Sequence, residues 1–385
     1  MNTPDTTNDV LEHALDKALA RITRNGAAWG QRFPDDVTLR GEYHLRPYPG
    51  LEDGANTGWT TGFWTGLLWM AYECSQDVVM REAALAHLPS YAERLAAHID
   101  IGHHDMGFLY TPSCVAAHRI AGDAQARQIA LDAARTLMSR YLPAAGIIQA
   151  WGDLHDPAQG GRMIIDCLLN LPLLHWAAEE GGEPRYRAAA LSHLEKSRDY
   201  LVRADSSSFH TYHFDPHSGA PLRGSSHQGA GTDSCWARGQ AWGIYGFAIN
   251  HRYAPELGLL DVAVRQAEYF LARLPANGVA YWDLIYGEGS GEPWDSSASA
   301  IAACGLLEIA GLTKDVALAQ RYNQAALSIC QGLIEHCTAD AGDALLLHGV
   351  YSKPEERAVD EGNLWGDFFF LETLLRLTGR WRHYW

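Results

Sequence analysis

The sequence predicts an all-α protein: an (α/α)6 barrel of six helical hairpins, inner and outer rings, formed as a single domain over residues 1–385. Three observations predict it. Amphipathic helical stretches recur along the chain, a more uniformly apolar kind of helix alternates with them, and the apolar kind returns about every 60 residues. That period fits two helices of about four or five turns plus their connections.

Taken in order, polar-faced helices are predicted at about 10–24 and 80–98. A third runs from Ala126, where small and apolar residues fall at Ala126, Ile129, Ala130, Ala133, Ala134, Leu137 and Tyr141. This is the i, i+3, i+4, i+7 recurrence of an amphipathic helix. Three more follow at about 186–203, 259–274 and 318–337. The apolar helices begin in aromatic-rich segments at Trp59 (WTTGFWTGLLWMAYE), Asp105 (DMGFLYTPSCVAAH), Asp166 (MIIDCLLNLPLLHWA), Trp236 (WARGQAWGIYGFAI), Trp294 (WDSSASAIAACGLLEIA) and Trp365 (WGDFFFLETLLRL). Six of each kind predict concentric rings, with polar residues of the inner helices gathered at their ends and lining one concave, aromatic-walled pocket. Gly62, Gly107, Gly239 and Gly366 suit close packing where the inner helices converge. The longest irregular stretch runs from Asp205 to Ser234. In it FHTYHFDP alternates as a strand does and predicts a short hairpin.

Charge excludes some partners. With 30 basic and 46 acidic side chains, a net charge of −16 and no basic cluster, neither nucleic acid nor an anionic membrane surface is expected to bind. No apolar run is long enough to span a membrane, and MNTPDTTNDVLEHAL lacks the basic-then-apolar order of a secretory signal. Seven scattered cysteines without a CxxC pair indicate neither a zinc ribbon nor a disulfide framework. A cytoplasmic, reduced chain acting on imported fragments is expected.

No GxSxG, P-loop or credible GxGxxG is present. His103-His104-Asp105 is a superficial metal candidate, but adjacent side chains diverge and HExxH spacing is missing, so no metal is predicted. The carboxylates are more informative. Asp166 lies among Ile164, Ile165, Cys167 and Leu168, where ionisation is costly and a raised pKa makes a general acid. Asp105 opens the preceding inner helix, and if both face the barrel mouth their like charges push one pKa further up. Helix capping is an equal alternative for Asp105 and the better reading for Asp295; Asp367 fits either role. Trp59, Trp64, Trp151, Trp236 and Trp242 offer flat faces for sugar rings, and the long loop holds His210, His213, His227 and Gln228 to read hydroxyls. Arg238, opening an inner helix, is expected to clamp a substrate carboxylate or to pair with a catalytic aspartate.

At these residues the chain resembles the unsaturated glucuronyl hydrolases of glycoside hydrolase family 88. The resemblance is carried in order by WTTGFWTGLLW, HHDMGFLY, GIIQAWG, GGRMIIDCLLNLPLL, SSFHTYHFDP, SHQG, CWARGQAWGIYGFA, WDSSASAIAACGLLEIA and NLWGDFFFLETLLRL. It implies an (α/α)6 barrel that uses no metal or organic cofactor. The activity it implies is removal of the 4,5-unsaturated glucuronic acid that polysaccharide lyases leave on di- and oligosaccharides. It further implies Asp166 as acid/base and Asp105 as its essential partner, with His104, His210, Gln228, Arg238 and Tyr351 as polar contacts and Trp59, Trp151 and Trp242 as aromatic walls. Ser352 and Lys353 are rim candidates for reading a sulfated second sugar. A monomer or weak homo-oligomer is expected. A sugar epimerase, an inverting glycosidase and a non-catalytic sugar-binding protein are the competing readings.

Overall fold

The structure is a computed structural model that describes residues 6–385 except 155, 157 and 158. Six outer–inner pairs follow one another along the chain. α1 (Thr6–Trp29) is outer and α2 (Thr61–Ser75) inner. The second pair is α3 (Val78–Ala86) with α4 (Leu88–Ala96), then α5 (Met106–Tyr110), continued through a π-helical turn, Thr111–Val115, into α6 (Ala116–Ala121). α7 (Ala124–Met138) is followed by a 3-10 turn, Ile165–Leu169, and α8 (Pro172–Gly181). The last three pairs are α9 (Pro184–Lys196) with α10 (Ala237–His251), α11 (Leu259–Leu271) with α12 (Ser296–Leu312), and α13 (Val316–Cys337) with α14 (Leu364–Leu377). The all-α barrel expected from the periodicity is therefore what the chain forms.

Local chemistry explains the turns. Between inner and outer helices, Gly122 takes φ 67° and Asp123 then accepts the N–H of Ala126, so a left-handed glycine ends α6 and an aspartate caps α7. Asp77 and Asp315 cap α3 and α13 in the same way; each such cap contributes about 1 kcal/mol. The inner helices are buried on nearly every face: all fourteen residues from Ala237 to Asn250 of α10 are buried. They approach so closely that glycine is required at their seams. A Cβ on Gly62 would lie 2.1 Å from the Phe108 carbonyl oxygen, and one on Gly107 would lie 2.2 Å from the Asn170 Cα. Either substitution would force neighbouring inner helices apart.

The strands lie in the connections from outer to inner helices. β1 (Tyr141–Leu142) pairs with β2 (Ile147–Ile148). β3 (Arg162–Ile164), β4 (Thr211–Phe214) and β5 (Pro221–Ser225) form an antiparallel sheet, so the expected hairpin exists and gains a third strand. β6 (Gly349–Ser352) pairs with β7 (Arg357–Glu361). At the opposite end of the inner ring, Arg376 lies 3.0 Å from Glu308 and 2.8 Å from Glu372, and Trp385 covers Phe369. Among the described residues no helix is long and apolar enough to cross a membrane.

Candidate active site

The lead-in segments of the inner helices, together with the β3–β5 sheet and the β6–β7 hairpin, enclose a cavity of about 240 Å³. The ten residues that the family resemblance implies all line it: Trp59, His104, Asp105, Trp151, Asp166, His210, Gln228, Arg238, Trp242 and Tyr351. A larger cavity, about 330 Å³, lies between α1 and α13. It is lined by Ile334, Leu345, Phe370, His13, Lys17 and a single carboxylate, Asp9, so it offers no pair of carboxyls.

Asp166 does not cap an α-helix. It sits in the 3-10 turn that links β3 to α8, with Ile165, Cys167 and Leu168 buried around it. Burial, and then the charge of Asp105, raises its pKa well above the usual carboxylate range. Asp105 precedes α5 but makes no side-chain cap bond. Burial opposes its ionisation too, yet His104 and His103 outweigh this and hold its pKa below the ordinary value. His103 Nδ1 is 2.9 Å from one Asp105 oxygen. His104 stands between the carboxylates, its Nε2 3.4 Å from Asp105 and 3.3 Å from Asp166. Burial lowers the His104 pKa to about 4, so its ring is neutral at pH 7. Two adjacent carboxyls with pKa values driven in opposite directions can hold one proton and one charge. The same trio brings one donor atom each within 4.8 Å, the spacing of a cation site.

The aromatic frame is layered. Trp59 packs 4.9 Å from Trp365 and 5.6 Å from Phe108, and Trp242 packs 5.2 Å from Phe108. Tyr351 accepts the Trp59 indole N–H at 3.1 Å, and burial pushes its phenol up to about 12. Trp151 is 41% exposed at the rim, backed by the Arg162 guanidinium at 4.0 Å. His210 is buried, with its Nδ1 2.6 Å from the Thr211 hydroxyl; burial, then His227, depresses its pKa to about 3.

Some expectations need correcting. Arg238 lines the cavity, but its ion pair is with Asp295 rather than with Asp105 or Asp166. Its guanidinium donates to Asp295 (3.1 Å), to the Val350 and Tyr351 carbonyls and to Gln228 (3.4 Å), which occupies four of its five N–H groups. Asp295 both caps α12 through the Ser297 N–H and holds Arg238, so capping was half of its role. Asp367 accepts from Tyr43 and from the Leu345 and Leu346 N–H groups, away from the cavity. Trp64 is core, packed 4.6 Å from Trp29, whereas Trp236 lines the cavity beside His210. Neither Ser352 nor Lys353 lines it; the Lys353 ammonium pairs with Glu356. Glu355 and Arg357 do line it and were missed. Their signal was the charged KPEER tip six residues or fewer beyond Tyr351.

Fold and pocket together give the class: an (α/α)6 barrel with an aromatic-walled, carboxylate-bearing cavity at its mouth. Comparison with known proteins makes this specific. Residues 40–375 match the family described as Glycosyl Hydrolase Family 88. The unsaturated glucuronyl hydrolase of Bacillus sp. (strain GL1) is 46% identical over 378 residues, covering 96% of this chain and 98% of that protein. The unsaturated chondroitin disaccharide hydrolase of Streptococcus pneumoniae is 42% identical over 389 residues, covering 100% and 96%. The crystal structure of unsaturated glucuronyl hydrolase from Streptococcus agalactiae superposes with a TM-score of 0.93 at 43% identity, covering 98% of this chain and 94% of that one. The chain belongs to glycosyl hydrolase family 88.

Proposed function

We propose that this chain releases 4,5-unsaturated glucuronic acid from the non-reducing end of lyase-generated di- and oligosaccharides, by hydrating the C4=C5 bond, with residues 1–385 acting as one catalytic domain. The observation that carries the mechanism is the divided pair: Asp166 with a raised pKa beside Asp105 with a lowered one, His104 between them.

The C4=C5 bond is a vinyl ether. The Asp166 proton goes to C4, the π electrons form the new C4–H bond, and positive charge develops on C5 and the ring oxygen. Water adds to C5, and its proton returns to the Asp166 carboxylate. The hemiketal then opens at the ring oxygen and the C1 hemiacetal expels the remaining sugar as its alcohol. Asp105, ionised throughout, holds the Asp166 proton in place and stabilises the developing charge. Trp59 and Trp242 wall the first sugar, Trp151 faces the second, and His210 and Gln228 meet the hydroxyls. Arg238 acts through Gln228 and the Tyr351 backbone rather than as a bidentate clamp. An inverting glycosidase fits less well, because its carboxyls stand about 6.5–9.5 Å apart to admit a water, whereas oxygens of this pair approach within 4.8 Å. Seven unpaired cysteines, six of them buried, support a reducing cytoplasmic setting. A monomer or weak homo-oligomer is the assembly proposed, to be checked by sedimentation.

The test follows the ultraviolet absorbance of the C4=C5 chromophore of unsaturated chondroitin and hyaluronan disaccharides. Loss of absorbance with the wild type but not with Asp166→Asn supports the reading. Persistence of the chromophore with every unsaturated substrate rejects it.

A further inference from the structure

Arg162 opens β3, four residues before Asp166, and stands outside the cavity lining. Its guanidinium lies over one face of the Trp151 ring, with Cζ 4.0 Å from the ring centroid. The Nη1 atom is buried there and, among the described residues, meets no hydrogen-bond acceptor. A guanidinium over an indole is attracted by the negative face of the ring. The neighbouring glycine makes room for it: a Cβ on Gly152, whose φ is 91°, would lie 2.9 Å from Nη1. Trp151 itself is 41% exposed, and His227, another ring near it, is 6.0 Å away between centroids.

The backbone beneath Trp151 is fixed separately. Buried Gln149 accepts the Gly161 N–H at 2.9 Å and donates to the carbonyls of Trp151 (3.4 Å) and Gly152 (3.3 Å). Arg140 also donates to the Gly152 carbonyl, at 3.0 Å. The Ala150 N–H donates to the Arg162 carbonyl at 2.9 Å, and the Ala150 carbonyl accepts the His104 N–H at 2.7 Å. These bonds set where the Trp151 Cα stands but not the plane of its ring. Two side-chain torsions remain, and the Arg162 guanidinium is the group laid over the ring.

We propose that Arg162 is a positioning residue for the second sugar: its guanidinium holds the Trp151 ring in the orientation that turns the opposite face to the substrate. A ring ordered before the substrate arrives spares the side-chain freedom that binding would otherwise cost. Because β3 also carries the chain on to Asp166, the stacking plane and the acid are set from one strand. The inference rests on the reading of Trp151 as the wall of the second sugar. It concerns binding rather than proton transfer, so its signature lies in KM and not in kcat.

The test is a double-substitution cycle of Arg162→Met and Trp151→Ala, read by KM and kcat on an unsaturated chondroitin disaccharide. Methionine keeps the length of the side chain and has neither charge nor plane. Arg162→Met is expected to raise KM about 2- to 5-fold, the range of an exposed cation–π contact, with kcat nearly unchanged. In the Trp151→Ala background it should add nothing. The methyl glycoside of unsaturated glucuronic acid has no second sugar, and its KM should not respond to Arg162→Met. In protein labelled with 5-fluorotryptophan, the ¹⁹F resonance of Trp151, assigned by its loss in Trp151→Phe, should move in Arg162→Met. An unmoved resonance overturns the proposal. So does a rise in KM that is as large for the methyl glycoside, or as large without Trp151, since either marks a role elsewhere in the fold. An unchanged KM in Arg162→Met beside a raised one in Trp151→Ala rejects Arg162 alone, whereas no rise in Trp151→Ala rejects the reading of Trp151. A wild type inactive on unsaturated sugars would reject the hydrolase reading, while the resonance, which needs no substrate, still decides whether Arg162 sets the ring. Arg162→Gln is the second variant should methionine unfold the strand; a wild-type Trp151 resonance in it likewise overturns the proposal.

Discussion

The backbone N–H of Ile165 donates to the carbonyl of His210 at 3.1 Å, extending the β3–β4 register by one bond. Asp166 is the next residue. The long loop between α9 and α10 is therefore tied to the strand that delivers Asp166, and His210 and Asp166 reach the cavity as one unit. The proposed acid and its polar surroundings are set by strand pairing, although the fold is otherwise a helical barrel.

Asp166→Asn should leave the fold intact and reduce kcat on an unsaturated disaccharide by about 10²- to 10⁴-fold, the range of a positioned acid/base. Asn keeps the size of the side chain and cannot donate the carboxyl proton. Circular dichroism alongside chromophore kinetics checks both halves; residual activity above a tenth of wild type would remove Asp166 from the role.

The pH profile follows from the divided pair. Activity needs Asp105 ionised and Asp166 protonated. Because the Asp105 pKa is lowered and the Asp166 pKa raised, the acid limb should lie below the ordinary carboxylate range and the alkaline limb above it. Asp105→Asn removes the like charge that helps raise Asp166. The alkaline limb of whatever activity remains should move to lower pH, and an unmoved limb would show that the two groups are not coupled.

Trp151 is the exposed aromatic of the rim. Its replacement by alanine should raise KM for a disaccharide by about 2- to 12-fold, the effect of losing about 0.5–1.5 kcal/mol of ring stacking, with kcat nearly unchanged. A loss confined to kcat would move Trp151 from binding to the chemistry.

The far end of the barrel governs stability. Glu308 and Glu372 have no exposed side-chain surface, and Arg376 pairs with both. Arg376→Met leaves buried carboxylates short of a partner and should cost about 3–5 kcal/mol in urea unfolding. Burial opposes ionisation of Glu308, but His383, Arg376 and Arg252 hold its pKa well below the unfolded value. Its stabilisation is therefore present above the unfolded pKa, about 4.3, and is lost as pH falls toward the folded one. Arg376→Met should flatten that acid dependence; an unchanged slope would show that Arg376 contributes little to the Glu308 shift.

How far the sequence reached can be judged residue by residue. The amphipathic run from Ala126 to Leu137 was legible because helical period is a local property of the chain. So was the unusual setting of Asp166, since its apolar neighbours are adjacent in sequence. The partner of Arg238 was not, because Asp295 lies 57 residues on and meets it only when α10 and α12 pack side by side. Trp64 and Trp236 look alike in sequence, yet one faces the core beside Trp29 and the other the cavity beside His210.

By itself the sequence determined the alternation of helices and which residue types would gather at the barrel mouth. The family likeness, written along almost the whole chain, placed those types at numbered positions. Only the tertiary structure decided that Arg238 pairs with Asp295 and that Glu355 and Arg357 complete the wall. Those outcomes depend on burial and on charges brought together by ring closure from distant parts of the chain, and electrostatic energy depends on distance in space rather than on separation in sequence.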